Sequence, residues 1–186
     1  MESFLGWLFY NYRGRDSGLI INIPEVARIP ATISLTSIDF KDNEHMPLTS
    51  SPAAPEGKNM SPQIQWENIP EEAKELVLIL EDPDAPLPKP ICHFVIKGID
   101  PKTTKCINAG EMVASNPSIT FAPAAFGRLG YHGPRPIKAH GSHRYIFQMY
   151  ALSDQLPQPK NKDELVKQMI PLIISRGVLT GTFERK

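Results

Sequence analysis

The chain has 186 residues, of which 41% are hydrophobic, and this is enough to bury one core. A chain of this length most often forms a single domain. Twenty Lys and Arg residues balance twenty Asp and Glu residues, which argues against a nucleic-acid partner, because such binding needs a clustered excess of positive charge. The nineteen prolines exclude a helical bundle and favour short strands joined by structured loops.

Cysteine usage and the apolar N-terminus indicate a cytoplasmic protein. Cys92 and Cys106 are the only cysteines, so no disulfide framework is predicted and reduced thiols are expected. Residues 4–10 form an apolar stretch that is too short for a bilayer, which needs about 20 residues. The stretch also lacks the basic leader and the cleavage site of a signal peptide. We therefore expect no transmembrane segment.

The N-terminal segment predicts a short amphipathic helix near residues 3–12. Four apolar or aromatic residues recur there at helical spacing: Leu5, Leu8, Phe9 and Tyr12. We expect this helix to dock on the domain or on a second copy of the chain, which makes a homodimer possible, with contact to a membrane surface as an alternative. Residues 1–31 are predicted to be an amphipathic extension, and residues 32–186 the domain itself.

Strand patterns occupy most of the remaining chain. Alternating or continuous runs rich in strand-forming residues predict strands at 33–40, 62–66, 76–80, 93–99, 119–121, 144–152 and 178–184. The run at 76–80 has the length of a strand buried on both faces. Asn161 and Glu164 form a capping-box pattern, which predicts a helix over 162–175 that kinks at Pro171 and ends at Gly177. The chain is therefore predicted to be mainly β, with a helix near each end.

The densest group of reactive residues combines a stiff turn with two strands. Asp82 and Asp84 belong to the sequence Asp-Pro-Asp-Ala-Pro, in which the prolines hold the backbone of the turn. His143 and Tyr145 are two residues apart on a predicted strand and therefore point to one face. His93 begins another strand. These side chains would meet if the two strands open onto one pocket; on the pattern alone, a rigid turn beside buried core histidines is an equal interpretation.

Three other chemistries are disfavoured. Ser142 and His143 are neighbours on a strand and face opposite ways, so they do not form a nucleophile–base pair. The spacing of His140, His143 and the Cys92-His93 pair matches no zinc pattern, so no metal site is predicted. No glycine-rich loop between a strand and a helix is present to hold a nucleotide, and no cofactor is predicted.

Three separated motifs, in order, make residues 33–184 similar to the phosphatidylethanolamine-binding protein family, also called the Raf kinase inhibitor protein family. The motifs are Asp82-Pro83-Asp84-Ala85-Pro86 with the upstream Ser61-Pro62 and Trp66, then His93-Phe94-Val95, and then Gly133-Pro134-Arg135-Pro136 through His143-Arg144-Tyr145. Residues 179–183 resemble the closing strand of the compact bacterial-like or fungal branch. The resemblance implies an antiparallel β-sandwich with a small cavity that binds anions.

The resemblance also implies which residues bind the ligand. Carried over to this sequence, they are Asp82, Asp84, His93, Gly133, Pro136, His143 and Tyr145. The sequence departs from the family pattern at Ile137, where many relatives have a proline, and at Cys92, where mammalian members have a histidine. The long C-terminal helix of the mammalian branch is missing.

Three functions follow from these residues. The first is binding of a small anion such as phosphate, a carboxylate or a phospholipid head group, in a regulatory or accessory role, because histidine, tyrosine and backbone donors suit such a ligand. The second is an enzyme or accessory protein that acts on small carboxylates or anhydrides in a fungal biosynthetic pathway, with His93, His143 and Asp82 as catalytic candidates. The third is a protease or kinase inhibitor. The expected protein partner is accordingly a kinase, a protease or a biosynthetic enzyme.

Overall fold

Eight strands form two antiparallel sheets in a computed structural model that describes residues 2–186. The strands are β1 Ser34–Thr36, β2 Ile64–Glu67, β3 Glu75–Asp82, β4 Ile91–Ile99, β5 Cys106–Ile107, β6 Thr120–Ala122, β7 His143–Leu152 and β8 Ile173–Phe183. The smaller sheet has the order β1-β2-β5 and the larger sheet the order β6-β4-β3-β7-β8. The predicted antiparallel β-sandwich is confirmed. Met1, the first residue of the predicted extension, lies outside the described residues.

Three short α-helices lie near the ends of the chain: α1 Glu2–Leu8, α2 Pro24–Ala27 and α3 Lys162–Met169. The predicted cap of α3 is confirmed, because the side-chain oxygen of Asn161 accepts a hydrogen bond from the Glu164 backbone N–H at 2.9 Å. Among the described residues, no helix has the length and hydropathy that are needed to cross a bilayer.

The predicted extension of this C-terminal helix to residue 175, ending at Gly177, is wrong. Pro171 cannot donate a backbone hydrogen bond, and the chain passes through one 3-10 turn before β8 begins at Ile173. Gly177 lies inside β8, where a Cβ atom would be 2.5 Å from the carbonyl oxygen of Ile33. The glycine therefore permits close backbone packing and does not end a helix.

The central strand β3 separates two hydrophobic cores. All eight of its residues are buried, which confirms the predicted burial on both faces. Leu76, Leu78 and Leu80 point into the core between the two sheets. Val77 and Ile79 point to a second core on the outer face of the larger sheet. A strand buried on both faces needs apolar residues at consecutive positions, and this explains the unbroken run in the sequence.

The second core is covered by α3 and by the later part of the predicted N-terminal extension. Leu19, Ile20 and Val26 are buried in this core. The Ile20 backbone N–H donates to the buried carboxylate of Glu81 at 3.0 Å, and the Ile21 N–H donates to Gln148 at 3.0 Å. The predicted boundary at residue 31 therefore lies beyond residues that belong to the core of the domain.

The first part of the extension docks differently from the predicted mode. The helix is shorter than predicted, and its apolar face remains at least 40% exposed: Leu5, Leu8, Phe9 and Tyr12. Its contact with the domain is made by Gly6, where a Cβ atom would be 1.8 Å from the Lys138 carbonyl oxygen. Backbone packing therefore places α1, and its large side chains face solvent.

The strand register brings the site residues to one edge of the larger sheet. The end of β3 pairs with the start of β4 through Asp82 and Ile91, and with the start of β7 through Glu81 and Ile146. Because neighbouring strands are antiparallel, the last residue of β3 and the first residues of β4 and β7 lie together.

We predict that Ile20→Ala lowers the free energy of unfolding by about 2–5 kcal/mol, because it removes a buried side chain from the second core. Equilibrium unfolding in urea measures this change. Ile38→Ala is the matched control: Ile38 is 79% exposed, and its replacement is expected to change stability by less than about 0.5 kcal/mol. Equal effects at the two positions would contradict a core role for the segment that contains Ile20.

Candidate functional site

A cavity of about 600 Å³ opens at this edge of the sheet. Six of the seven predicted ligand-binding residues line it: Asp82, His93, Gly133, Pro136, His143 and Tyr145. Asp84 does not line it. A larger depression of about 880 Å³ lies beside β2 and β5, and no predicted site residue lines it. Within residues 2–186, no group of three or more His, Cys, Asp or Glu side chains is arranged to hold a metal ion.

Asp82 is held at the end of β3 by its own turn. One carboxylate oxygen accepts hydrogen bonds from the backbone N–H groups of Asp84 at 2.8 Å and Ala85 at 3.1 Å. The other oxygen accepts from Nδ1 of His143 at 2.9 Å. A buried carboxylate needs such donors, because removing its charge from water is costly. Asp82 is therefore a hydrogen-bond acceptor held in a fixed position in the wall of the cavity.

His143 uses both of its ring nitrogens inside the protein. Nδ1 bonds to Asp82, and Nε2 lies 2.7 Å from Nδ1 of His140. His140 was not among the predicted ligand-binding residues, and its other ring nitrogen contacts the carbonyl oxygen of Phe9 at 2.8 Å. His143 thus has no free nitrogen to offer to a ligand.

His93 keeps one ring nitrogen free. Its Nδ1 lies 2.6 Å from the carbonyl oxygen of His132, and because a carbonyl only accepts, Nδ1 carries the proton. Its Nε2 is buried without a hydrogen-bond partner in the described chain, 4.0 Å from the nearer Asp82 oxygen. Burial lowers the pKa of His93 below its ordinary value, and the Asp82 carboxylate opposes this shift only in part. Neutral His93 therefore presents a lone pair at Nε2.

Tyr145 presents the second free polar group. Its ring meets that of His93 edge-on, with 5.3 Å between the centroids. The hydroxyl is buried and makes no well-formed hydrogen bond to any residue from 2 to 186, although the Arg135 backbone N–H lies near it. Burial, together with the Asp82 charge, raises the pKa of Tyr145 well above its ordinary value. The hydroxyl therefore stays protonated and can donate.

Two arginines at the cavity were not predicted as ligand-binding residues. Arg128 and Arg135 both line it, and the Arg128 guanidinium lies 5.4 Å from the ring centre of Phe126. Phe126 is 78% exposed and has a left-handed backbone, with φ of 61°. Arg135 lies inside the predicted Gly133–Pro136 loop, so its charge was available as a signal. Arg128 gave no comparable signal, because only the path of its loop brings it to the cavity.

The Gly133–Pro136 loop is held by a residue that sequence reasoning missed. The Gly133 backbone N–H donates to the Asn59 side-chain oxygen at 2.8 Å, and the Asn59 amide donates to the Tyr131 carbonyl at 3.0 Å. A Cβ atom on Gly133 would be 1.8 Å from the Ser50 carbonyl oxygen. Glycine is therefore required at position 133 by close backbone packing.

Asp84 stabilises the other side of the turn. Its carboxylate accepts from the Arg144 backbone N–H and guanidinium, each at 2.9 Å, and from the Gly14 N–H at 3.1 Å. Burial by itself would raise the pKa of the Asp84 carboxyl, but the hydrogen bonds and charge of Arg144, with Arg13 beside it, bring that pKa below its ordinary value. Asp84 links the turn to β7 and to the N-terminal segment.

The fold and the site together define a two-sheet β-sandwich with a cavity at the edge of its larger sheet, where a few polar side chains lie among apolar ones. The model of the phosphatidylethanolamine-binding protein family matches residues 36–184, which is most of the chain. The chain belongs to this family, as its three sequence motifs indicated.

Relatives from distant organisms share most of the chain. An Aquifex aeolicus protein named "UPF0098 protein" is 33% identical over 170 residues, covering 90% of this chain and 97% of its own. The "Phomoidride biosynthesis cluster protein B" of a fungal species is 30% identical over 198 residues, covering 99% of this chain and 94% of its own. The crystal structure of a putative phosphatidylethanolamine-binding protein homologue from Chlamydia trachomatis superposes with a TM-score of 0.73 at 29% identity, covering 83% of this chain and 99% of its own.

We predict that Asp84→Asn destabilises the protein by about 1.5–3 kcal/mol at neutral pH, the range for hydrogen bonds to charged groups. The pKa of Asp84 is lower in the folded chain than in the unfolded chain. Its charge therefore contributes stability above the unfolded pKa, and this contribution is lost as the pH falls through the folded pKa. Urea unfolding at several pH values below about 5 measures the decrease.

Asp154→Asn is the control for this prediction. Asp154 is exposed, and its carboxylate lies 3.6 Å from the Lys74 ammonium, so its removal is expected to cost less than about 1 kcal/mol. A pH-independent effect of Asp84→Asn would contradict the role of the Asp84 charge.

Proposed function

We propose that the protein binds a small anion of phosphate or carboxylate size in the cavity beside Asp82, in a regulatory or accessory role. The observation that supports this most is the pair of free polar atoms, Nε2 of His93 and the Tyr145 hydroxyl, on two adjacent side chains that line one cavity. A buried polar atom without a partner costs free energy. A ligand with several acceptor oxygens would relieve both costs at once when Nε2 of His93 carries a proton.

The charges around the cavity favour the same ligand. Arg128 and Arg135 line the cavity together with one acidic residue, Asp82, whose carboxylate is already bonded to His143. A guanidinium can bind a carboxylate or a phosphate through two parallel hydrogen bonds. Free phosphate, a small carboxylate and a phospholipid head group share this chemistry.

Anion binding requires His93 to take up a proton. Because Nδ1 is committed to the His132 carbonyl, only a protonated His93 can donate from Nε2 to an anion. The bound anion then raises the pKa of His93 relative to the free protein, so binding takes up a proton. Affinity is therefore highest at acidic pH and falls as the pH rises through the range in which the bound form loses that proton.

The regulatory role that we propose involves a protein partner, namely a kinase, a protease or a biosynthetic enzyme, whose binding would respond to the occupied cavity.

We also propose a cytoplasmic location. Cys92 and Cys106 are both free thiols, one buried and one exposed, and a reducing compartment suits such a pair.

We predict that Tyr145→Phe lowers the affinity for phosphate and for acetate by about 10- to 150-fold, because it removes one buried donor to a charged ligand. Isothermal titration calorimetry with each anion measures this change, and stability should alter little because the hydroxyl is free in the protein. Tyr150→Phe is the matched control, since the Tyr150 hydroxyl bonds to Gln148 in the second core. An unchanged affinity in Tyr145→Phe would contradict the proposed site.

A second candidate function rests on the same His93 nitrogen. Neutral His93 presents a lone pair in a cavity that contains two arginines. Such a base could take a proton from the carbon next to the carbonyl group of a bound carboxylate or anhydride, with the C–H electron pair left on that carbon as an enolate and the proton carried by Nε2. The relative named for a phomoidride biosynthesis cluster makes an enzyme or accessory protein in a fungal pathway the corresponding proposal.

The dependence on pH separates the two functions. For the binding function we predict that phosphate affinity falls from about pH 5.5 to about pH 8 in the wild-type protein. In His93→Gln the affinity should be lower and less dependent on pH, since an amide donates at every pH. For the enzymatic function, hydrogen–deuterium exchange into a bound dicarboxylate would instead rise with pH and vanish in His93→Gln. Calorimetry and NMR of the ligand measure the two quantities.

A further inference from the structure

Three hydrogen bonds in line connect the cavity to the N-terminal arm, which we define as residues 2–15. The Asp82 carboxylate is 2.9 Å from Nδ1 of His143, Nε2 of His143 is 2.7 Å from Nδ1 of His140, and Nε2 of His140 is 2.8 Å from the Phe9 carbonyl oxygen. Both histidines are at most 1% exposed. Water therefore does not replace any of these partners.

The number of protons in this row of three hydrogen bonds is fixed by the groups at its two ends, Asp82 and the Phe9 carbonyl. The Phe9 carbonyl can only accept, so Nε2 of His140 must carry a proton. The Asp82–His143 hydrogen bond also needs one proton, and since a carboxyl group is a stronger acid than an imidazolium, that proton belongs on Nδ1 of His143. A neutral imidazole has only one N–H. Two neutral rings would then place bare lone pairs 2.7 Å apart, and a third proton between them is required.

We propose that His140 and His143 share this third proton, and that the shared proton fastens the N-terminal arm to the edge of the cavity. The pair then carries one positive charge beside the negative charge of Asp82. His140 is a positioning residue in this arrangement. Its Nδ1 orients the ring of His143, and its Nε2 holds the arm at the Phe9 carbonyl. The proposal needs no ligand in the cavity and does not depend on anion binding.

Loss of the shared proton breaks one of the three hydrogen bonds. If neutral His140 carries its proton on Nδ1, it still donates to His143, but its Nε2 lone pair faces the Phe9 carbonyl. If it carries the proton on Nε2, the lone pairs of the two rings face each other or His143 must turn a lone pair toward Asp82. The hydrogen bond from His140 to Phe9 is the one that breaks, because the arm lies at the surface whereas Asp82, His143 and His140 are buried.

The charged groups around His140 set the direction of the effect. Burial lowers the pKa of His140, and the Phe9 hydrogen bond and the Asp82 charge partly restore it, while His143 and Arg13 oppose protonation. Arg13 donates to the His140 carbonyl at 3.2 Å. Other titratable or charged groups on the adjoining elements are Tyr10, Asp84, His93, Lys138, Arg144, Tyr145 and Arg185. Of these, Asp84 accepts from the Gly14 N–H of the arm at 3.1 Å and lies 3.9 Å from the Arg13 guanidinium. Docking of Phe9 raises the pKa of His140 relative to the undocked arm, so docking is strongest at acidic pH and weakens as the pH rises.

The test uses the 186-residue chain without added phosphate. We would follow the imidazole ¹⁵N resonances of His140 and His143 and the carbonyl ¹³C resonance of Phe9 by NMR from about pH 5 to about pH 8.5, the range of histidine titration. The expected result is one common midpoint for His140 and the Phe9 carbonyl, with the Phe9 carbonyl losing its hydrogen-bond shift as the pH rises. A Phe9 resonance that stays constant while His140 titrates would overturn the proposal, and so would two neutral rings at the lowest pH.

Proteolysis gives a second measurement. Trypsin cleaves after Arg13 and Arg15, and the rate at each pH is divided by the rate for a free peptide of the same sequence. This ratio should rise at least about tenfold as the pH increases through the titration, because a charge-assisted bond is lost. His140→Gln can donate to Phe9 at every pH and should abolish the pH dependence. The control His45→Gln, at a histidine outside this chain of hydrogen bonds that contacts the Met46 carbonyl, should keep it. Equal pH profiles in His140→Gln and the wild type would overturn the proposal. If His140→Gln does not fold, the NMR titration of the wild-type protein is the deciding test.

Discussion

The buried negative charge of Asp82 is the constraint on which the site depends. An ionised carboxylate inside a protein requires several donors, since the cost of removing it from water otherwise exceeds what packing can supply. The Asp82 turn provides two backbone N–H groups, and β7 provides the ring of His143. These bonds fix the end of β3 against the start of β7, and the cavity lies where the two meet.

The two aspartates of the turn stabilise opposite sides of it. Asp82 is the last residue of β3 and bonds to His143, whereas Asp84 lies in the turn and bonds to Arg144. Neighbours on a strand face opposite ways. The first two residues of β7, His143 and Arg144, therefore each bond to a different aspartate. One aspartate completes the cavity, and the other holds the arm near Gly14.

The histidines at the site differ in what they can do, because their hydrogen bonds differ. His143 has both ring nitrogens bonded within the protein, to Asp82 and to His140. His93 has one nitrogen bonded and one free. The side chains with a free polar atom in the cavity are therefore those of His93 and Tyr145, and the His140–His143 pair connects Asp82 to the N-terminal arm.

The sequence by itself determined the features that depend on near neighbours: strand periodicity, the Asn161 cap, the stiff turn, and the common face of His143 and Tyr145. Six of the seven ligand-binding residues that the family resemblance predicted line one cavity. Only the tertiary structure decided which way Asp84 turns, that Arg128 and Asn59 reach the cavity, and that His140 meets Phe9. Those contacts join residues far apart in the chain, and no local pattern encodes them. The end of α3 was mispredicted because Gly177 serves a distant backbone contact, with Ile33, and that contact follows from how the sheets pack.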